Sequence, residues 1–158
     1  MNNQQIKLFS SKNSDEWGTP QTLYDKLNLE FNFDLDSCAS VTNFKHANYY
    51  TLADDALSRD WNGSVWCNPP YSKAKPFLMK AHEELKAGNC KTCVFLTFSN
   101  TDTAWFHDYV LGKAEIRFIR GRLKFIGLNK QGILVNNAAM RPSMVSVLRE
   151  SIYHGMTR

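Results

Sequence analysis

Apolar positions along this chain follow two rhythms. In "TPQTLYDKLNLE", Leu23 and Leu27 are four residues apart, the spacing of one helix face, with Thr19 placed as an N-cap and Pro20 at the first helical position. "FNFDLD" alternates apolar and polar, which predicts a strand from Phe31 to Leu35, and "SVWC" predicts a short buried strand over residues 64–67. "SKAKPFLMKAHEELKAGN" returns to the helical rhythm, with Phe77, Leu78, Ala81 and Leu85 on one face and Gly88 as its stop. "CKTCVFLTF" is a third strand. "SNTDTAWFHDYVLG" offers capping residues and then a helix that turns Trp105, Phe106, Tyr109 and Val110 to the core, with His107 on its surface and Gly112 at its end. "AEIRFIRG", "RLKF", "GILVNN" and "RPSMVSVLRE" complete the strands, the second and third of these spaced to pair as a hairpin.

Strands alternating with helices imply an α/β fold with a mostly parallel sheet and antiparallel strands at the C-terminal end. Ligands of such sheets bind beyond the carboxyl ends of the strands. The first three strands run into polar groups there: Asp34 and Asp36, then Asn68-Pro69-Pro70-Tyr71, then Ser99-Asn100-Thr101. These define one shared rim. Two consecutive prolines forbid helix and central strand, so residues 69–70 are at least a rigid turn. A rigid turn does not account for the asparagine and tyrosine on either side. An exocyclic amine on a heteroaromatic ring is a poor nucleophile, because its lone pair is delocalised into the ring. Two acceptors aimed at its N–H groups, the Asn68 side-chain oxygen and the Pro69 carbonyl, would release that lone pair, and Tyr71 would stack on the base. A base in a duplex must be flipped out to reach such a pocket.

Composition narrows the picture. The chain has 158 residues, 43% of them hydrophobic, enough for one domain with a core. No apolar run approaches the ~20 residues of a membrane span, and the polar N-terminus lacks the apolar stretch of a signal peptide, so an intracellular protein is expected. Residues 1–14 read as a loose arm. Cys90 and Cys93 form a C-x-x-C, but Cys38 and Cys67 do not supply a second pair for zinc, and both members sit in an apolar strand as small hydrophobes. Residues 1–110 carry 10 Lys+Arg against 13 Asp+Glu, and residues 111–158 carry 9 against 2. The basic C-terminal third suggests a polyanion partner, a solvated basic face being the alternative.

The blocks "EWGTPQTLYDKL", "FDLDSCAS", "DALSRDW", "VWCNPPYS", "DTAWFHDYV" and "IRGRLKF" stand in this order over residues 15–149. In that order they resemble the small phage-type DNA N6-adenine methyltransferases, the phage Dam family. The resemblance implies a compact Rossmann-like methyltransferase fold over residues 15–158 that uses S-adenosylmethionine. It also implies double-stranded DNA as partner, no metal, a monomer or weak dimer, and the cytoplasm of a bacterial host carrying the phage or prophage. The transfer would go to N6 of a flipped-out adenine, with Asn68, Pro69, Pro70 and Tyr71 as the catalytic motif. Rival readings are an N4-cytosine methyltransferase, a protein or RNA methyltransferase, and a catalytically inactive DNA-binding module.

By the same resemblance, Asp34, Asp36, Cys38 and Ala39 occupy the place of the cofactor loop, without its usual glycine-rich form. Trp17, Thr19 and Pro20 match the segment that packs against the methionine end. Asp54 or Asp55, or Asp60, would approach the ribose or adenine. Asp36 as a turn-former or cap, and Asp54 and Asp55 as surface acids, are the plain alternatives. Arg117, Arg120, Arg122 and Lys124 are candidates for phosphate contacts. The segment 126–141 is the expected recognition hairpin, with Lys130, Gln131, Asn136, Asn137 and Arg141 as DNA-facing candidates, since Asn and Gln pair with adenine and Arg with guanine. GATC is one target the family is known to use.

Overall fold

The computed structural model describes residues 18–128, 131 and 133–154, with the backbone only at residues 128 and 134. The proposed arm, Trp17 and Lys130 lie outside the described residues. The elements are α1 (Gln21–Phe31), β1 (Leu35–Asp36), β2 (Gly63–Cys67), α2 (Ala74–Ala87), β3 (Cys90–Phe98) and α3 (Ala104–Tyr109). They continue with β4 (Glu115–Phe118), β5 (Lys124–Leu128), β6 (Leu134–Ala138), β7 (Ser143–Arg149) and α4 (Ser151–His154). The order β1-β2-β3-β7-β4 builds one mixed sheet, and β5 and β6 pair separately as the expected hairpin. The fold is α/β. β1, β2 and β3 are parallel, whereas β7 runs against both β3 and β4.

Alternation along β3 sorts its side chains to two layers. Cys93 and Phe95 face α2 and α3, where Phe77, Leu78, Ala81, Leu85, Phe106 and Val110 are buried. Val94, Leu96 and Phe98 face α1 and the hairpin, where Tyr24, Leu27 and Phe125 are buried. Cys90 and Cys93 are wholly buried in the first layer. Both faces of the central strands are covered, which is why β3 reads as a continuous apolar run. No helix among the described residues is long and apolar enough to cross a membrane.

The strand expected from Phe31 to Leu35 is a correction. α1 continues through Phe31, and Asn32 ends it in the left-handed conformation, φ 48°, its N–H bonded to the Asn28 carbonyl. Only Leu35 and Asp36 pair as strand. Phe31 and Phe33 stack on each other, ring centroids 6.0 Å apart, and Phe33 packs on Tyr24 and Trp66. The alternation therefore came from an aromatic cluster at a helix end. Pro20 precedes α1 without a capping hydrogen bond from a side chain, so Thr19 is not its N-cap.

The parallel register aligns the carboxyl ends of β1, β2 and β3, with Asp36 opposite Trp66 and Cys67 opposite Phe95. Because β7 is reversed, its start comes to the same rim, Ser143 opposite Phe98. Ser99 N–H donates to the Pro142 carbonyl (2.8 Å), and Ile119 N–H to the Ser143 carbonyl (3.1 Å). Ala139 N–H donates to the Leu123 carbonyl (2.7 Å), and Gly18 and Ile126 exchange backbone bonds, which fastens the hairpin beside α1. The rim thus gathers residues 36–40, 68–71, 99–101, 119–125 and 137–142.

At the opposite end Asp34 staples β1 to β2. Its N–H donates to the Ser64 carbonyl (2.7 Å) and its Oδ2 accepts from Ser64 N–H (2.9 Å). Gly63, φ 73°, leaves room for this carboxylate: a Cβ there would stand 2.2 Å from Oδ2 and 3.0 Å from Cγ. Gly63→Ala is expected to cost at least about 2 kcal/mol, combining left-handed strain with displacement of the staple. Gly88, φ 78°, has open space at the Cβ position, so Gly88→Ala should cost only the strain. Thermal unfolding of the two variants side by side checks the difference.

Candidate active site

Two adjoining clefts open at the ends of β1 and β2. The first, about 400 Å³, is walled by Thr19, Asp36, Lys45, Trp66 and Asn68 among others. The second, about 470 Å³, is walled by Ser37, Thr51, Asp55, Lys73 and Phe77 among others. Cys38, Ala39 and Pro70 belong to both walls. Asp36 is 2% exposed. Its Oδ2 accepts from Lys45 N–H (3.0 Å) and its Oδ1 from Cys38 N–H (3.3 Å), so the carboxylate shapes the loop that follows β1. Burial pushes its pKa up to about 6, against the pull of those two donors and of the Lys45 and His46 charges.

Asn68 stands where β2 ends. Its Nδ2 donates to Thr19 Oγ1 at 3.1 Å, and Thr19 is 2% exposed. This part-buried contact gives Thr19 its place: it orients the amide so that Oδ1 lies on the side away from the hydroxyl. The prolines then lead into a single 3-10 turn, Tyr71–Lys73, and α2 begins at Ala74. Tyr71 stacks on Phe98, centroids 4.0 Å apart and planes within 17°, and meets Phe125 edge-on at 6.4 Å.

Two further clefts flank Tyr71. One, about 310 Å³, has Tyr71, Phe98, Phe125, Asn137, Ala139 and Met140 in its wall. The other, about 220 Å³, has Pro69, Tyr71, Thr97, Phe98, Asn100 and Trp105 in its wall. The asparagine-proline-proline-tyrosine turn therefore divides the β1–β2 clefts from an aromatic pair on the β3 side. Trp105 packs against the core as expected, and, half-buried, it also lines the smaller of this pair. Phe98 and Phe125 are site residues that the sequence did not single out; Phe98 is the last residue of β3 and Phe125 the second of β5, and this place at a strand end was the available signal.

A sequence model of the DNA N-6-adenine-methyltransferase (Dam) family matches residues 8–156. The chain belongs to this family. The DNA N-6-adenine-methyltransferase of Haemophilus phage HP1 is 37% identical over 123 residues, 74% of this chain and 70% of that protein. That of Escherichia phage T1 is 31% identical over 155 residues, 86% of this chain and 63% of that protein. Among solved structures, 23S rRNA methyltransferase ErmE resembles the chain slightly: TM-score 0.39, 14% identity, 83% of this chain and 49% of that one.

For this Dam-family chain, the structure brings Thr19, Asp36, Cys38, Ala39, Asp55 and the 68–71 turn to connected clefts. It leaves others out. Asp34 is a correction: it lies at the entry end of β1, bound to Ser64. Asp54 is another: its Oδ2 accepts from the N–H and hydroxyl of Thr51, closing a capping box. Those bonds, the Thr51 N–H first, lower its pKa. Pro20 lies just before α1, outside the walls of these four clefts.

The basic candidates also separate. Arg117 is engaged by acids: both its terminal nitrogens bond Glu30 (2.6 and 2.7 Å), its Nε bonds Glu115 (2.6 Å), and its guanidinium lies over the Phe31 ring. In this structure its guanidinium is therefore taken up by ion pairs with Glu30 and Glu115. Arg120, Arg122 and Lys124 are exposed at the rim. Arg141 donates to Asn100 Oδ1 at 3.1 Å beside the Tyr71 clefts. On β6, Asn137 is opposite Phe125 and shares its cleft, whereas Asn136 is opposite Ile126 and so on the other face. Gln131 is exposed near the hairpin tip.

Proposed function

We propose that this chain transfers a methyl group to N6 of an adenine flipped out of duplex DNA, with Asn68 and Pro69 as the amine acceptors. The observation that carries the reading is the Asn68 amide, set by buried Thr19 at the junction between the Asp36 clefts and the Tyr71 clefts. The family supplies the methyl-transfer chemistry and the adenine N6 acceptor; the site residues are our assignment.

The β1–β2 clefts fit S-adenosylmethionine. Asp36 offers a buried carboxylate for a cationic or hydroxylic group, Cys38, Ala39 and Pro70 form a continuous wall, and Asp55 and Lys73 lie at the far end. When bound, S-adenosylmethionine supplies a methyl group activated by a positive sulfonium. The chain's own task is at the acceptor. Asn68 Oδ1 and the Pro69 carbonyl accept the two N–H bonds of the amine, draw its nitrogen toward tetrahedral geometry and free the lone pair. Positioning and preorganised polarity do the work, with no covalent enzyme intermediate.

Tyr71 enters this chemistry already buttressed. Its stack on Phe98 fixes the ring plane, and Phe125 and Asn137 wall the adjoining space, a cradle for a flat heteroaromatic. The hairpin that carries Phe125 and Asn137 starts at Lys124, two residues before the expected recognition segment, so base reading and base stacking share one element.

The exposed cations define the DNA side. Arg122→Ala with Lys124→Ala should lower the log–log salt slope of DNA binding by up to about 2, near 0.9 for each phosphate no longer neutralised. Arg117→Ala should leave the slope unchanged, because its guanidinium already serves Glu30 and Glu115. Fluorescence anisotropy against salt measures both. The substrate class is tested by offering duplex DNA, RNA and protein to the chain with labelled S-adenosylmethionine. Label in DNA alone is expected, and label in RNA or protein would overturn the reading.

A further inference from the structure

We propose that Met140 is the wedge that occupies the base stack when the target nucleotide leaves it. The proposal rests on the reading of the Tyr71 clefts as the place of a flipped-out base. Met140 is 86% exposed, yet it lines the cleft of Tyr71, Phe98, Phe125 and Asn137. The backbone on both sides of it is tied down. Ala139 is 9% exposed and its N–H bonds Leu123, while the Pro142 carbonyl accepts from Ser99 N–H. One long apolar side chain thus projects from a short anchored turn at the cleft mouth.

A single exposed apolar residue is ordinary. This one has a charged frame: Arg141 follows it directly, and Arg120, Arg122 and Lys124 are exposed on the same rim. A duplex backbone drawn to those cations brings its base stack to Met140. Flipping a base breaks stacking and pairing and leaves a gap. Apolar side chains inserted between base steps recover part of that cost, and an unbranched, polarizable methionine adapts to an irregular gap. The occupant of this apolar point is therefore duplex DNA at the target site.

The test compares Met140→Ala with the wild type on two duplexes carrying the target, mapped first on unmethylated plasmid. In one the target adenine is paired; in the other it faces a mismatched base. The variant is expected to methylate the paired duplex about ten- to a hundredfold more slowly, and the mismatched duplex within about threefold of wild type, because there little pairing is left to break. Met140→Leu should restore most of the paired rate. Equal rates for Met140→Ala and wild type on paired DNA overturn the wedge, as does an equal loss on both duplexes, which would indicate a general docking or partner contact. If the wild type methylates neither duplex, the base-flipping reading falls and the wedge with it.

Discussion

Asn68→Ala is expected to lose methyl transfer by a factor of ~10²–10³, about 3–4 kcal/mol of transition-state stabilisation, while S-adenosylmethionine affinity changes little. The asymmetry follows from where the charge changes. Positive charge develops on the amine nitrogen as its new bond forms, so an acceptor aimed at its N–H strengthens along the reaction. The cofactor clefts keep Asp36, Cys38, Ala39 and Pro70 in this variant. Folding should survive, because Asn68 is half-exposed at a strand end and the core contacts of β2 come from Val65 and Cys67 on one face and Trp66 on the other. The cost to stability is the partner of the buried Thr19 hydroxyl, about 1–2 kcal/mol. Single-turnover kinetics beside calorimetric titration separate the two effects. Near-normal turnover would reduce the proline turn to a structural element.

Asp36→Asn is expected to do the reverse, weakening S-adenosylmethionine binding about 10- to 100-fold by removing a charged partner of the ligand. Asparagine keeps the size and the acceptor for one of the two N–H groups, Lys45 or Cys38, and thermal unfolding of the variant beside the titration separates the loss of the other bond from the loss of charge. The wild type carries a pH signature of the same residue. Its carboxyl is raised from 3.8 to about 6 by burial. Relative to the unfolded chain, burial in the free protein favours the neutral form, so the stability this group contributes is full below the unfolded pKa and is lost as pH rises from about 4 to about 6. The loss is at most about 3 kcal/mol. A bound cation reverses the preference. Affinity for S-adenosylmethionine should rise as pH rises through about 6 and level off above about 7, with Asp36→Asn flat across that window. A wild-type affinity independent of pH would remove Asp36 from the cofactor contacts.

Much of this was legible in the sequence, for local reasons. Helical spacing over residues 74–87 and the apolar run of β3 placed those elements, since each buries one continuous face or two. Polar residues following apolar strands placed Asp36, Asn68 and Asn100 on one rim. Illegible were choices made by tertiary contacts. Asp34 and Asp36 are equivalent in sequence, and only the register with Ser64 and Trp66 sends the first to the entry end of the sheet. Asn136 and Asn137 are equally good base readers, and strand alternation admits one of them to the cleft. Arg117 joined the basic third by composition, but Glu30 lies 87 residues away in sequence. Thr19 read as a cap because threonine is a capping residue and proline suits the first helical position; its bond to Asn68 spans 49 residues.

The most direct measurement is nucleoside analysis of DNA labelled by this chain. Unmethylated duplex DNA is incubated with tritiated S-adenosylmethionine, digested to nucleosides and separated by chromatography. Label is expected in N6-methyladenine, present with the wild type and reduced ~10²–10³-fold with Asn68→Ala. Label in N4-methylcytosine, or none in DNA, would contradict it.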